Sequence, residues 1–137
     1  MVDGVGWREV WCTAVLALGY CSGAAAMDRW AALSQIESGD RDTARGIAGE
    51  VSRYQIKPRL WRRYASPAAD WTKRENALNV AQAVMKQRCA DFERSAQRSP
   101  TDFEFYILWN APAQIHKPGK AVRERAERFR NLVADTD

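Results

Sequence analysis

The spacing of apolar residues is the feature that most constrains how this chain can fold. Apolar side chains recur at helical intervals between glycine and proline breaks, and no stretch alternates with period two for long enough to form a sheet. The 137 residues have room for one domain. We therefore predict a mainly α, single compact domain with a possible small hairpin in 40–56. The predicted helices cover about 28–36, 58–64, 72–92, 102–110 and 120–133.

Local signals set the ends of these helices. Gly39 is a left-handed stop for the first helix, and Pro58 suits the first turn of the second. The pattern Thr72-Lys73-Arg74-Glu75 predicts a capping box at the start of the longest helix. The segment 99–102 predicts a break and a new start. In the last helix, Glu124 and Arg128 are spaced to form an ion pair.

An uncharged run at 10–26 ends in Ala24-Ala25-Ala26, which is typical of a secretory signal cleaved after Ala26. The net charge of −1 before this run argues against that interpretation, since a positive charge is expected there. Cleavage removes one base and two acids, so the net charge of +4 becomes +5 for residues 27–137. We expect a periplasmic or secreted protein without stable membrane insertion after cleavage.

The charge and the few cysteines and histidines narrow the function classes. A basic chain suits an anionic partner, but its cations are spread over helix faces, which favours a solvated surface over nucleic-acid binding. After cleavage Cys89 is the one cysteine, and His116 is the one histidine of the whole chain. An intramolecular disulfide, a cysteine-based metal site and a Ser-His-Asp centre are therefore not expected. We predict a monomer that needs no metal or organic cofactor.

Glu37 is the leading candidate for a catalytic residue. It falls in the last turn of the first predicted helix, where exposed carbonyls form a negative end. A carboxylate is disfavoured there, so the side chain tends to keep its proton near neutral pH. Glycosidic bond cleavage needs such a general acid.

Four motifs stand in a fixed order: Glu37-Ser38 at a helix end, the run 49–58 that contains Gln55, a helix opening at Asn76, and Trp109-Asn110-Ala111-Pro112. This order resembles the lysozyme-like superfamily, in particular the goose-type lysozymes and soluble lytic transglycosylases. The resemblance covers about residues 28–115. It implies a lysozyme-like helical fold and cleavage of the β-1,4 bond between N-acetylmuramic acid and N-acetylglucosamine in peptidoglycan.

The resemblance also implies roles for single residues. Glu37 matches the catalytic acid/base, and Ser38 matches the serine beside it. Gln55 matches a glutamine of the cleft wall, and Tyr54 stands where the family usually has methionine. Trp109 and Asn110 match the aromatic-Asn pair that lines the sugar cleft. Ser38, Tyr54, Gln55, Trp109 and Asn110 are therefore the predicted substrate-binding residues.

The second chemical group of the reaction is left open by the sequence. Glu50, Asp40 and Asp42 are candidate carboxylates for activating water, and Glu50 is preferred because it lies beside the turn at Gly49. Glu50 could instead be a loop residue paired with Arg53 or Arg45. In the transglycosylase route, implied by the resemblance, the 6-hydroxyl of the sugar attacks instead.

The sequence thus predicts an exported enzyme that cleaves peptidoglycan or a related amino-sugar polymer. Three rival functions are a glycosidase for chitin or chitosan, a non-catalytic glycan-binding module on the same scaffold, and a basic helical nucleic-acid binder. The acid at a helix end argues against the binding module, and the dispersed basic residues argue against the nucleic-acid binder.

Overall fold

A computed structural model describes residues 26–134, so the predicted signal segment lies outside the described residues except for Ala26. The described part contains five α-helices, one short 3-10 turn and no strand, which confirms the mainly α prediction. The helices are α1 (Arg29–Ser38), α2 (Pro58–Tyr64), α3 (Arg74–Ala96), α4 (Asp102–Asn110) and α5 (Lys120–Val133), and the 3-10 turn is Pro112–Gln114.

The core is built around α4, which is apolar on nearly all sides. Tyr106 and Ile107 are fully buried, as is Phe129 of α5. The ring of Phe129 stacks on Phe105 with 5.7 Å between the centroids and lies equally close to Tyr106. Leu33 of α1 joins the same cluster. Because α4 is enclosed in this way, the residues at its end are held firmly beside the neighbouring helices.

The segment between α1 and α2 forms tight turns instead of a regular hairpin. Isolated antiparallel bridges join Arg45 to Val51 and Val51 to Ile56. The turn from Val51 to Ile56 holds Ser52 and Gln55 in the left-handed region, with φ of 70° and 50°. The hairpin expected in 40–56 is thus reduced to two bridged turns, because positive φ values break the extended backbone that a ladder needs.

The helix ends follow the predicted signals at Gly39, at Pro58 and at the break in 99–102, and depart from them at Thr72. Gly39 ends α1 with φ of 63°, as predicted. The capping box predicted at Thr72 does not form: α3 starts after Lys73, and the Thr72 hydroxyl donates to Asp70 at 2.7 Å. Asp70 also accepts the Thr72 backbone N–H, so it holds this turn apart from the helix.

A capping box is instead present at α4. The Thr101 side chain accepts the Glu104 N–H at 3.3 Å, and the Glu104 carboxylate accepts the Thr101 N–H at 2.9 Å. In α5 the predicted Glu124–Arg128 pair is replaced by Lys120–Glu124 at 3.9 Å. No helix in residues 26–134 is both long and apolar enough to cross a bilayer.

Candidate active site

Glu37 lies in a cleft and is held there by a tyrosine from another helix. The last turn of α1 carries Glu37, and the hydroxyl of Tyr106 in α4 donates a hydrogen bond of 2.7 Å to its Oε1. Burial raises the pKa of Glu37, and the negative charge of Glu50 adds to the rise. The Tyr106 hydrogen bond and the charge of Arg125 act against it. The net shift keeps the carboxyl protonated at a higher pH than an exposed glutamate.

The same hydrogen bond defines which oxygen of Glu37 is available. Burial raises the pKa of Tyr106 far above its usual range, and the nearby Glu37 charge raises it further, so the phenol stays a donor. Oε1 of Glu37 accepts that donor. The acidic proton of the neutral carboxyl therefore sits on Oε2, which makes Oε2 the oxygen that can donate it.

The cleft itself has a volume of about 330 Å³, at the small end of the range for ligand sites. Its walls come from the end of α1 with Glu37, the turns at 46–57, Leu60 of α2, Arg88 of α3, the end of α4 and Arg125 of α5. Glu37, Glu50, Gln55, Trp109 and Asn110 all line it. The fold brings these five predicted site residues to one cavity, although Glu37 and Asn110 are 73 positions apart in the chain.

The side chains of Glu50 and Gln55 pass closely over Gly46 on the cleft wall. A Cβ on Gly46 would lie 2.2 Å from Oε2 of Glu50 and 2.7 Å from Oε1 of Gln55, closer than atoms can approach. The Glu50 Oε2 accepts the backbone N–H of Ala48 at 3.1 Å. A side chain at position 46 would therefore displace the ends of the Glu50 and Gln55 side chains from these positions.

Glu50 does not form the ion pairs that the sequence left open. Arg53 pairs with Asp40 at 2.9 Å and with Asp42 at 3.3 Å. Arg45 stacks instead on the ring of Trp71, 4.6 Å from its centroid. Within residues 26–134 no salt bridge to Glu50 is formed. Its carboxylate thus lies in the cleft without a cationic partner.

Asp40 and Asp42, also candidates for the second carboxylate, lie away from the cleft. Asp40 accepts from Ser34 as well as from Arg53, and Asp42 bridges Arg53 and Arg74. Neither acid lines the cavity. Both hold the loop after α1 in place, which leaves Glu50 as the carboxylate that shares the cleft with Glu37.

The far wall of the cleft is the end of α4. Arg88 of α3 donates to the carbonyls of Leu108 and Trp109 at 2.7 and 2.6 Å, which satisfies the open end of α4. Trp109 is 6% exposed, belongs to the core cluster and also lines the cleft. Asn110 follows it and is half-buried.

Ser38 and Tyr54, also predicted as substrate-binding, do not line the cleft. The Ser38 hydroxyl donates to the Ser34 carbonyl at 3.2 Å and accepts the Arg41 N–H at 3.1 Å, so it closes the end of α1. The Tyr54 ring is 3% exposed and packs edge-on against Trp30. Both side chains are occupied in holding the scaffold of the site.

Tyr106 and Arg125 are not singled out by the sequence pattern. Tyr106 sits at helical spacing among apolar residues, so the pattern assigns it to the core, and Arg125 belongs to a helix with many exposed bases. One signal is available for Tyr106: a buried tyrosine hydroxyl needs a partner, and Glu37 is a polar group with the same need. No comparable signal marks Arg125.

Neither family models nor curated proteins nor solved structures give a match to this chain. The described residues also contain no group of three or more histidine, cysteine or acidic side chains placed to hold a metal ion. The function is therefore inferred from the geometry of the cleft.

Proposed function

We propose that this protein is a glycosidase that cleaves the β-1,4 bond between N-acetylmuramic acid and N-acetylglucosamine in peptidoglycan, as an exported lysozyme or lytic transglycosylase. The observation that carries the proposal is the buried Glu37 carboxyl, which has a raised pKa, a fixed orientation and a place in a cleft. A general acid with these properties suits protonation of a glycosidic oxygen at a higher pH than an exposed glutamate would allow.

The first step is proton donation from Oε2 of Glu37 to the leaving oxygen. As the bond to the anomeric carbon breaks, positive charge develops on the sugar ring and Glu37 becomes a carboxylate. The Tyr106 hydroxyl stabilises that carboxylate by its hydrogen bond, and Arg125 stabilises it by charge. Both contacts strengthen as charge appears, which favours the transition state over the ground state.

The second step has two chemically distinct forms. Glu50 can take a proton from water, whose oxygen then bonds to the anomeric carbon and gives a reducing end. Alternatively the 6-hydroxyl of the same muramic acid attacks that carbon and returns its proton to Glu37, which gives a 1,6-anhydro sugar. The lack of a cationic partner at Glu50 supports the first form, because no counter-ion occupies the carboxylate oxygens that would accept the proton of water.

Peptidoglycan is the proposed substrate because of the ordered motifs and the charge of the cleft. Glu37, Gln55 and Trp109-Asn110, which carry the resemblance to lysozyme-like enzymes, all line one cavity. Lys57 and Arg125 add positive charge to its walls. That charge favours an anionic polymer over neutral chitin. A pure binding module has no use for a buried acid whose pKa is raised.

The test is mass spectrometry of peptidoglycan digested by the wild type, by Glu37→Gln and by Glu50→Gln. We expect the wild type to release soluble muropeptides and Glu37→Gln to release none. Glu75→Gln is the matched control, since this exposed glutamate lies outside the cleft. If the products have reducing ends and are lost with Glu50→Gln, the enzyme is a hydrolase. If the products are anhydro sugars and are still formed by Glu50→Gln, the enzyme follows the transglycosylase route. No soluble product from the wild type would refute the proposal.

A further inference from the structure

The short helix α2 presents a basic face to solvent. Arg59, Arg62 and Arg63 are spaced at i, i+3 and i+4, so they share one side of the helix, and all three are exposed. Leu60, Trp61 and Tyr64 form the other side and pack against the core. Lys57, immediately before the helix, is exposed as well. We call Lys57, Arg59, Arg62 and Arg63 the α2 strip.

The α2 strip has no acidic counterpart. In residues 26–134 none of its four cations takes part in a salt bridge. Sequence 57–64 contains no acid. Arg63 rests over the ring of Tyr64, 5.3 Å from its centroid, which leaves its guanidinium edge open for hydrogen bonds.

Helix stability explains only part of this arrangement. Arg62 and Arg63 lie in the last turn of α2, where a cation is favoured by the negative helix end. Arg59 lies in the first turn, where a cation is disfavoured. Burial lowers the pKa of Arg88, and the positive charge of Arg59 lowers it further. The two guanidinium groups therefore repel each other. An anion bound near Arg59 would relieve both effects.

The strip is continuous with the cleft. Lys57 and Leu60 line the cavity that contains Glu37, and Arg88 lines it beside them. Lys57 is the member of the strip that lines the cavity, so a polymer that leaves the cleft past Lys57 meets the strip there. This continuity favours an occupant that is part of the substrate over a separate surface such as a lipid bilayer.

We propose that the α2 strip binds the carboxylate-bearing peptide side chains of the same glycan strand whose sugar backbone occupies the cleft. The proposal rests on the proposed function and adds a subsite that reads charge beside the cleavage site. Peptidoglycan stem peptides carry free carboxylates, and the planar guanidinium fork of arginine matches a carboxylate with two parallel hydrogen bonds. The strip thus selects strands that still bear their peptides.

The experiment measures binding and turnover separately, with the full chain. Arg59→Gln/Arg62→Gln/Arg63→Gln removes three charges, and Lys86→Gln/Lys117→Gln/Lys120→Gln is the control that removes three exposed charges outside the cleft. Co-sedimentation uses intact sacculi and sacculi whose carboxylates have been converted to amides. The Arg59→Gln single variant guards against loss of folding, because it leaves the favourable cations of the last turn in place.

The arginine variant is expected to bind intact sacculi about tenfold more weakly at low salt, with kcat unchanged and KM raised. The difference should shrink at about 0.3 M salt and vanish on amidated sacculi. Equal losses in both triple variants, or a loss that persists on amidated sacculi, would overturn the proposal. Co-sedimentation is repeated with vesicles of phosphatidylcholine and phosphatidylglycerol. A loss of binding by the arginine variant that is seen on these vesicles and not on sacculi would also overturn the proposal. Co-sedimentation measures binding without turnover, so the binding result can be interpreted even if no cleavage is detected.

Discussion

Glu37 keeps its proton because burial makes the charged form costly, and this has a consequence for stability. A group whose pKa is raised by folding stabilises the native state below its unfolded pKa, and that contribution is lost as pH rises through the folded pKa. Glu37→Gln removes the titration and keeps an amide oxygen for Tyr106. We expect the variant to match the wild type near pH 4 and to be the more stable protein near pH 8, as measured by urea unfolding.

Glu104 provides a control of opposite sign for that measurement. Its hydrogen bonds to Arg98 and Thr101 lower its pKa to about 2. Stability from Glu104 is therefore present at neutral pH and is lost progressively as pH falls from its ordinary pKa of 4.5 through its folded pKa of about 2. Glu104→Gln should be less stable than the wild type at pH 8. A Glu37→Gln curve that runs parallel to the wild type at all pH values would contradict the assignment of Glu37 as a buried acid.

Tyr106→Phe tests whether the hydroxyl positions the acid. The ring is fully buried, so phenylalanine preserves the packing and removes the hydrogen bond to Glu37. That bond lowers the pKa of Glu37, so its loss should move the basic limb of the pH–kcat/KM profile to higher pH. We expect kcat to fall about tenfold, in line with loss of a hydrogen bond to a charged group.

Tyr54→Phe is the matched control, since Tyr54 is equally buried and is placed outside the cleft. It should leave both kcat and the pH limb unchanged. A downward shift of the limb in Tyr106→Phe, or an equal change in both variants, would show that the tyrosine acts through packing and not through its bond to the acid.

At the scale of helices and turns, two segments with the same T-x-x-E pattern behave differently. Thr101 caps α4 and exchanges hydrogen bonds with Glu104, whereas Thr72 donates to Asp70 and lies outside α3. We expect Thr101→Ala to lower the free energy of unfolding by about 1 kcal/mol. Thr72→Ala should cost less than about 0.5 kcal/mol, the range for surface changes without a cap. Equal losses in chemical denaturation would contradict this assignment of the caps.

This pair of threonines also shows what the sequence could and could not predict. The apolar periodicity, together with Gly39 and Pro58, predicted the positions of the helices closely, because those signals act within one or two turns. The choice between two T-x-x-E segments depended on Asp70, a competing acceptor two residues before Thr72. The pairing of Tyr106 with Glu37 joins residues 69 positions apart, and only the packing of α4 against α1 and α5 defines it. Local patterns carry no information on such a contact.

For the molecule as a whole, α5 links the core to the cleft. Arg125 reaches the cavity from one side of α5, while Phe129 on its buried side packs against Phe105 and Tyr106. The N–H of Met27 donates to the Leu132 carbonyl at 2.9 Å, so the start of α1 is tied to the end of α5. The helix that carries Glu37 and the helix that supports Tyr106 are thus fixed to a common element.

Phe129→Leu should therefore weaken catalysis as well as stability. The smaller side chain removes one ring face that supports Tyr106, so we expect a loss of about 1–2 kcal/mol in unfolding free energy and a several-fold lower kcat at a temperature where the protein stays folded. Phe92→Leu makes the same exchange in α3, at a buried position in the core. It should cost similar stability and leave kcat nearly unchanged, because Phe92 has no ring contact with Tyr106. If both variants lose stability equally and kcat equally, the support of Tyr106 by α5 has no part in positioning Glu37.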